Sequence, residues 1–236
     1  MSLGLTRASC GSSFNYVRDG LKLYMPYRGH PAETTKFVGT GSTYFDGSND
    51  YIDCGDDTSL DMTTSYTLCG WIKLTAITGV TQFLFGRDDG SNRNYWIEIT
   101  SSNGYVSSVN LGTTDTSTVG SACPVGVWTH VCSTYDGSNV KVYINGNLDV
   151  SESVTGTLDN DDVSFSIGAR EAGADRFFDG SMKNVALWNR ALTATEVQNV
   201  MYKTYAEVSG RLADGLVSWW ALDVDYTDYH GDNDGT

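Results

Sequence analysis

The stretch that decides the fold is Val127–Gly146, VWTHVCSTYDGSNVKVYING. Trp128, His130, Cys132 and Thr134 alternate with Thr129, Val131, Ser133 and Tyr135, a period of two that suits a two-faced strand and no helix. Asp136-Gly137-Ser138-Asn139 supply turn residues that tolerate positive φ or bond their own backbone. Val140, Val142 and Ile144 then alternate with Lys141 and Tyr143, and Asn145-Gly146 opens the next reversal. The stretch predicts a β-hairpin at the centre of a sandwich.

The same signals recur on both sides. Gly20–Met25 alternates and is stopped by Pro26, and the polar stretch from Arg28 to Thr40 reads as loop. Ser42–Gly55 holds two short strands around a D-G-S-N turn. Ser65–Leu74 carries apolar residues on both faces, as an inner strand does. Gln82–Gly86 and Tyr95–Thr100 are strands flanking the polar loop Arg87–Asn94, and Val106–Leu111 follows. A Thr- and Ser-rich stretch running to Val125 reads as loop. Beyond the central hairpin, Leu148–Val154, Val163–Ile167, Phe177–Asn189 and Gly215–Leu222 complete the strands. Strands at intervals of about 8–12 residues, with turn signals between them, predict an all-β, two-sheet antiparallel jelly-roll sandwich.

One short helix interrupts the pattern. Thr193-Ala194-Thr195-Glu196 is a capping box, and Leu192 and Val197 are placed as a hydrophobic staple. Val197, Val200 and Met201 share the face that lies on the sandwich. The segment DGLKLYMPY at 19–27 echoes DGLVSWWAL at 214–222. Two readings are open: the start of a second, truncated sandwich, or two strands of one domain whose termini meet. The second is preferred, because a lone strand would leave Trp219 and Trp220 without a core. The domain reading is an N-terminal arm over 1–18, one jelly-roll domain over 19–223 and an acidic tail over 224–236.

Composition agrees. The chain has 236 residues, with Gly 26 against Pro 3, Tyr 14 and Trp 6, a β composition. Acids outnumber bases 29 to 15, for a formal net charge of −14. Such a chain repels phosphate backbones and anionic membranes, so no nucleic-acid partner is expected. No run approaches the about 18 apolar residues of a membrane span, so no membrane insertion is expected. The first residues, MSLGLTRASCGSSF, lack an apolar core of signal-peptide length. Five cysteines is an odd number, which leaves at least one thiol free or paired between chains.

FDGSNDYIDCG (45–55), the strand ending in Trp71, the central hairpin and GSMKNVALWNRALTATEV (180–197) resemble, in order, successive blocks of the laminin-G-like, concanavalin-A-like jelly roll. Within that superfamily His130-Val131-Cys132-Ser133-Thr134-Tyr135 resembles the pentraxin signature, with Tyr135 where that family has Trp. The resemblance implies a Cys69–Cys132 disulfide, closing a loop of about 63 residues and contributing at most roughly 4 kcal/mol, in an oxidising, extracellular or surface setting. It implies calcium, held by Asp88 and Asp89 in one loop and by Glu171 and Asp175 in another. Arg170 departs from the pattern, standing where an acid is expected. A ring-like homo-oligomer is implied as well.

Candidate chemistry is sparse. His30, His130 and His230 share no metal-ligand spacing, and no phosphate loop or G-x-S-x-G appears. Cys132 beside His130 suggests a nucleophile pair only if Cys132 is not in a disulfide. Glu98 and Glu152 stand singly in their strands, without the paired glutamates of sandwich glycosidases. Arg87, Asn92, Arg93, Tyr95 and Trp96 form a set able to stack on a sugar ring and bond its hydroxyls. The leading expectation is a non-catalytic module binding carbohydrate or another surface ligand, with calcium. The alternatives are a structural or adhesive part of a surface or virion assembly and, third, a glycan-active enzyme.

Overall fold

A computed structural model describes residues 41–111, 115–173 and 175–236. The N-terminal arm, the strand expected at Gly20–Met25, Cys10 and His30 lie outside the described residues. Thirteen strands are named in chain order: β1 (Thr43–Asp46), β2 (Ile52–Asp53), β3 (Tyr66–Leu74), β4 (Gln82–Asp88), β5 (Arg93–Ile99), β6 (Gly104–Asn110), β7 (Asp115–Ala122), β8 (Thr129–Tyr135), β9 (Asn139–Ile144), β10 (Asn147–Ser153), β11 (Ser166–Ile167), β12 (Asp179–Trp188) and β13 (Leu216–Trp220). The helix α1 spans Ala194–Val200.

The strands form two antiparallel sheets. Sheet A runs β1-β12-β3-β8-β9-β10, with β13 also paired to β12. The ten-residue β12 shares one edge between two partners, β1 along Asp179–Met182 and β13 along Val185–Trp188. Sheet B runs β2-β11-β4-β5-β6-β7. The D-G-S-N turn after β1 therefore hands the chain from one sheet to the other. Asp46 Oδ1 accepts the Ser48 N–H at 2.8 Å there. The same chemistry closes the central hairpin, where Asp136 Oδ1 accepts the N–H groups of Ser138 (3.0 Å) and Asn139 (2.7 Å).

Alternation turns one face of each sheet to a shared core, and the other face of sheet A to a second one. Leu68 and Ile72 of β3, Val131 and Tyr135 of β8, and Tyr95, Ile97 and Ile99 of β5 meet between the sheets. Cys69, Cys132, Tyr143, Ala186, Trp188 and Trp219 turn to the other side of sheet A, where Leu192, Val197 and Val200 cover them. The inner-strand expectation for β3 holds for this reason: both of its faces are covered.

A helix of seven residues is not stable alone in water. α1 is held by burying Val197 and Val200, worth roughly 1.5–3 kcal/mol each, and by its N-terminus. Thr193 Oγ1 accepts the Glu196 N–H while Glu196 accepts the Thr193 N–H, the expected capping box. Burial raises the Glu196 pKa, but hydrogen bonds from Arg190 and Thr193 outweigh it and hold the carboxyl down at about 2.

Two features depart from the sequence reading. The Thr- and Ser-rich stretch contains a strand, β7, whose residues are mostly exposed at the sheet edge. It carries no apolar alternation, because its buried position is Thr118 and its Val119 faces solvent. Residues 224–236, read as an acidic tail, lie against the sandwich. Asp228 accepts the backbone N–H of Trp219 at 2.9 Å, and the Asn233 amide bonds Ser218 and Ser59. Thr236 and Asp53 exchange both backbone hydrogen bonds, at 2.9 and 3.1 Å. The tail thus joins β13 of sheet A to β2 of sheet B.

Candidate functional site

With Tyr95, Ile97 and Ile99 facing the inter-sheet core, Trp96 and Glu98 of β5 point to the outward face of sheet B. Register shifts interrupt the β4–β5 pair, with Leu84 the extra residue in β4 and Asn94 the extra residue in β5. Asp88 faces outward with Glu98, whereas Arg87 faces inward.

The loop joining β4 to β5 is fastened by its own acids. Asp88 Oδ1 accepts the Gly90 N–H at 2.7 Å, and Asp89 Oδ1 accepts those of Ser91 (2.7 Å) and Asn92 (2.6 Å). Arg93 returns from β5 to the Gly90 carbonyl, pairs with Asp115 and lies 3.4 Å from Asp88. The segment after β11 runs beside β4, fixed by Gly168 N–H to the Leu84 carbonyl and Phe83 N–H to the Arg176 carbonyl. It brings two more guanidiniums to Asp88: Nη1 of Arg170 and Nη1 of Arg176 each stand 3.9 Å from Asp88 Oδ2. Arg170 also grips Asp175 with two bonds (2.7 and 2.5 Å), and Arg176 bonds Glu98 at 2.6 Å. Glu171 and Arg176 hold left-handed backbone, φ 51° and 55°. Non-glycine residues adopt this at a cost of about 1–3 kcal/mol, and such outliers cluster at functional sites.

The result is a cluster of three guanidiniums and four carboxylates, open to solvent at its rim. Asp88 is only 1% exposed, and its Oδ2 lacks a hydrogen-bond partner. Burial pushes its pKa up, and the Gly90 N–H and the three arginines pull it back in part. Burial likewise raises Glu98, opposed by Arg176.

The structure divides the residues expected to bind sugar. Arg87 is fully buried and serves as a clamp, donating to the Val163 carbonyl (2.7 Å), the Asp161 carbonyl (3.2 Å) and Asp61 (2.5 Å). Tyr95 stacks on Tyr66 in the core and donates to the Leu60 carbonyl, and burial pushes its pKa up. Both point away from the outward face, so neither is a ligand contact. An aromatic in a strand and a buried arginine look alike in sequence to their exposed counterparts. Trp96 does face outward but is buried, with the Arg93 guanidinium 6.0 Å over its ring. Asn92 bonds Asp89 at the loop tip. Only Arg93 of this set lies at the open rim.

The acids expected to hold calcium do not form an oxygen cradle. Asp88 and Asp175 are brought near each other, but Arg170 lies between them with its guanidinium on both. Asp89 is spent on its own loop, and Glu171 sits exposed in a 3-10 turn. Among the described residues no group of three or more His, Cys, Asp or Glu side chains is placed to hold a metal. A guanidinium supplies the positive charge there, so the donor set does not fit a calcium ion. The departure visible in sequence at Arg170 was the signal. Glu98 and Arg176, which the sequence reading did not place in the site, complete it. The outward position of Glu98 follows from strand alternation, whereas nothing local to Arg176 foretells its reach.

Cys69 and Cys132 are directly opposite in the β3–β8 register, beneath α1. Both are thiols in this structure, as are the buried Cys54 and Cys123. The register thus sets the two residues of the disulfide implied by the resemblance opposite each other.

A family model described as the concanavalin A-like lectin/glucanases superfamily matches residues 46–198, more than half of the chain. The chain belongs to this superfamily. This concanavalin A-like domain is 34% identical over 112 residues to a human protein, adhesion G-protein coupled receptor D1, and the match covers 44% of this chain but 13% of that protein. Among solved structures, a Bacteroides ovatus protein described as a "putative carbohydrate binding protein" superposes with a TM-score of 0.65 at 21% identity, over 83% of this chain and 57% of that one. A heptameric pentraxin from Limulus polyphemus gives 0.55 at 18%, over 82% and 92%. The carbohydrate-binding module (CBM40) of a Ruminococcus gnavus sialidase, bound to α2,3-sialyllactose, gives 0.53 at 16%, over 69% and 97%. At these identities the likeness is one of fold, the pentraxin included. Among the described residues no helix is long and apolar enough to cross a membrane.

Proposed function

We propose that this concanavalin A-like domain is a non-catalytic carbohydrate-recognition module whose ligand lies on the outward face of sheet B. The observation that carries this is the convergence of Arg93, Arg170 and Arg176 with Glu98 and Asp175 at the rim. Fixed donors and acceptors side by side are what a ring of hydroxyls requires. The solved carbohydrate-binding relatives of the same fold support the reading; fold alone does not carry it. A glycosidase needs two carboxylates within reach of one bond. Here Asp88 is closed off from solvent and Glu98 is held by Arg176, which favours binding over hydrolysis.

Binding of the whole chain to a glycan array tests this. At least one glycan is expected to bind, and Arg176→Ala is expected to weaken it about tenfold, the loss of one charge-assisted hydrogen bond. Silence across the array, or full affinity in Arg176→Ala, contradicts it.

The match to part of an adhesion receptor favours a second reading, in which the domain is an extracellular adhesive segment of a larger surface protein. The two are compatible where the adhesive partner is a glycan.

A further inference from the structure

We infer, on the strength of the carbohydrate-recognition reading above, that the ligand is an uncharged glycan, taken through its hydroxyls without calcium and in preference to acidic sugars. Three guanidiniums face four carboxylates, Asp88, Glu98, Asp115 and Asp175, a net charge of −1 with all ionised. A carboxylate-bearing sugar gains the arginines but meets Asp88 beneath them and Glu98 and Asp175 beside them. A calcium ion gains those carboxylates but meets Arg170 and Arg176, both 3.9 Å from the Asp88 oxygen it would use. Like charges brought together without compensation oppose binding in both cases.

A hydroxyl is different, because it donates and accepts at once. It can accept from a guanidinium and donate to a neighbouring carboxylate. Asp88 Oδ2 is buried, with Arg170 and Arg176 at 3.9 Å each, so a ligand feels its charge without touching the oxygen. Asp88 thus acts as a charge balance under the arginines, and its removal should unmask them.

The test is an array of matched pairs, each a neutral oligosaccharide and its sialylated or uronic-acid counterpart, probed with the full chain in calcium and in chelator. Neutral members are expected to bind at least about tenfold more tightly than their acidic counterparts, equally with calcium or chelator. Asp88→Asn, which keeps the shape and removes the charge, should narrow or reverse that preference. Preference for the acidic members, or binding abolished by chelator, overturns the inference while leaving carbohydrate recognition standing. No binding to any glycan overturns the carbohydrate reading and the ligand class with it. If Asp88→Asn melts far below the wild type, the wild-type pairs and the chelator arm decide.

Discussion

Arg87→Ala separates a structural arginine from a ligand-binding one. The side chain is 1% exposed and makes three polar contacts, to the carbonyls of Val163 and Asp161 and to Asp61. Asp61, about a third exposed, can rehydrate when the guanidinium leaves. The Val163 carbonyl cannot do so readily, because that bond is buried. Leaving buried acceptors unsatisfied costs about 1–3 kcal/mol each, and the lost stem leaves unfilled space as well. Together these amount to about 3–5 kcal/mol. At about 2–4 °C per kcal/mol for a domain of this size, Tm should fall by roughly 10 °C. Thermal melting by circular dichroism reads this directly. Arg87→Lys keeps the charge but cannot reach three partners at once, and should recover only a minor part. Glycan affinity of the folded fraction should be unchanged. A fall in Tm under about 2 °C together with lost glycan binding would refute this and return Arg87 to the site.

Further outcomes follow from the same structure. Because Cys69 and Cys132 face each other across one antiparallel pair, within Cα separations a disulfide spans, oxidised protein should give a single Cys69–Cys132 cross-link in a non-reducing peptide map. Alkylation of both thiols without reductant would count against it. The Glu196 pKa is lowered from 4.5 to about 2. Its stabilising contribution is therefore complete above the unfolded-state value and lost as pH falls from 4.5 towards 2. Glu196→Gln should flatten that part of the Tm-against-pH curve, and an unaltered curve would contradict the cap's role. Gly90 has φ +89°, and an added Cβ would lie 2.9 Å from Arg170 Nη1. Gly90→Ala should lower glycan affinity and cost about 1–2 kcal/mol through the left-handed backbone. Unchanged affinity would mean that the position of Arg170 does not matter to the ligand.

The fold was largely legible because its determinants are local. Apolar alternation, D-G-S-N and Asn-Gly turns, and the Thr193–Glu196 box each specify structure within a few residues. β7 was not legible, since an exposed edge strand needs no apolar face. The packing of 224–236 was equally hidden, because Asn233 and Thr236 act through Ser59 and Asp53, far back in the chain. The site shows the same division. Residues 87–96 and 170–175 do meet, as expected, but not all of their side chains share the outward face. Tyr95 faces inward by plain alternation with Ile97 and Ile99, and Arg87 with Phe85, so the misplacement lay in which face the sheet covers. Arg176 joins Glu98 only through the path of the segment after β11, a tertiary fact.

The central claim is that the outward face of sheet B is where a glycan binds, and arginine side chains report on it individually. Nitrogen-15 NMR of the Nε–Hε groups, followed while a bound glycan is titrated, is the most direct measurement. Saturable shifts at Arg93, Arg170 and Arg176, with Arg87 unmoved in the interior, are the predicted result. Shifts confined to the α1–β13 side of sheet A, with those three arginines silent, would contradict it.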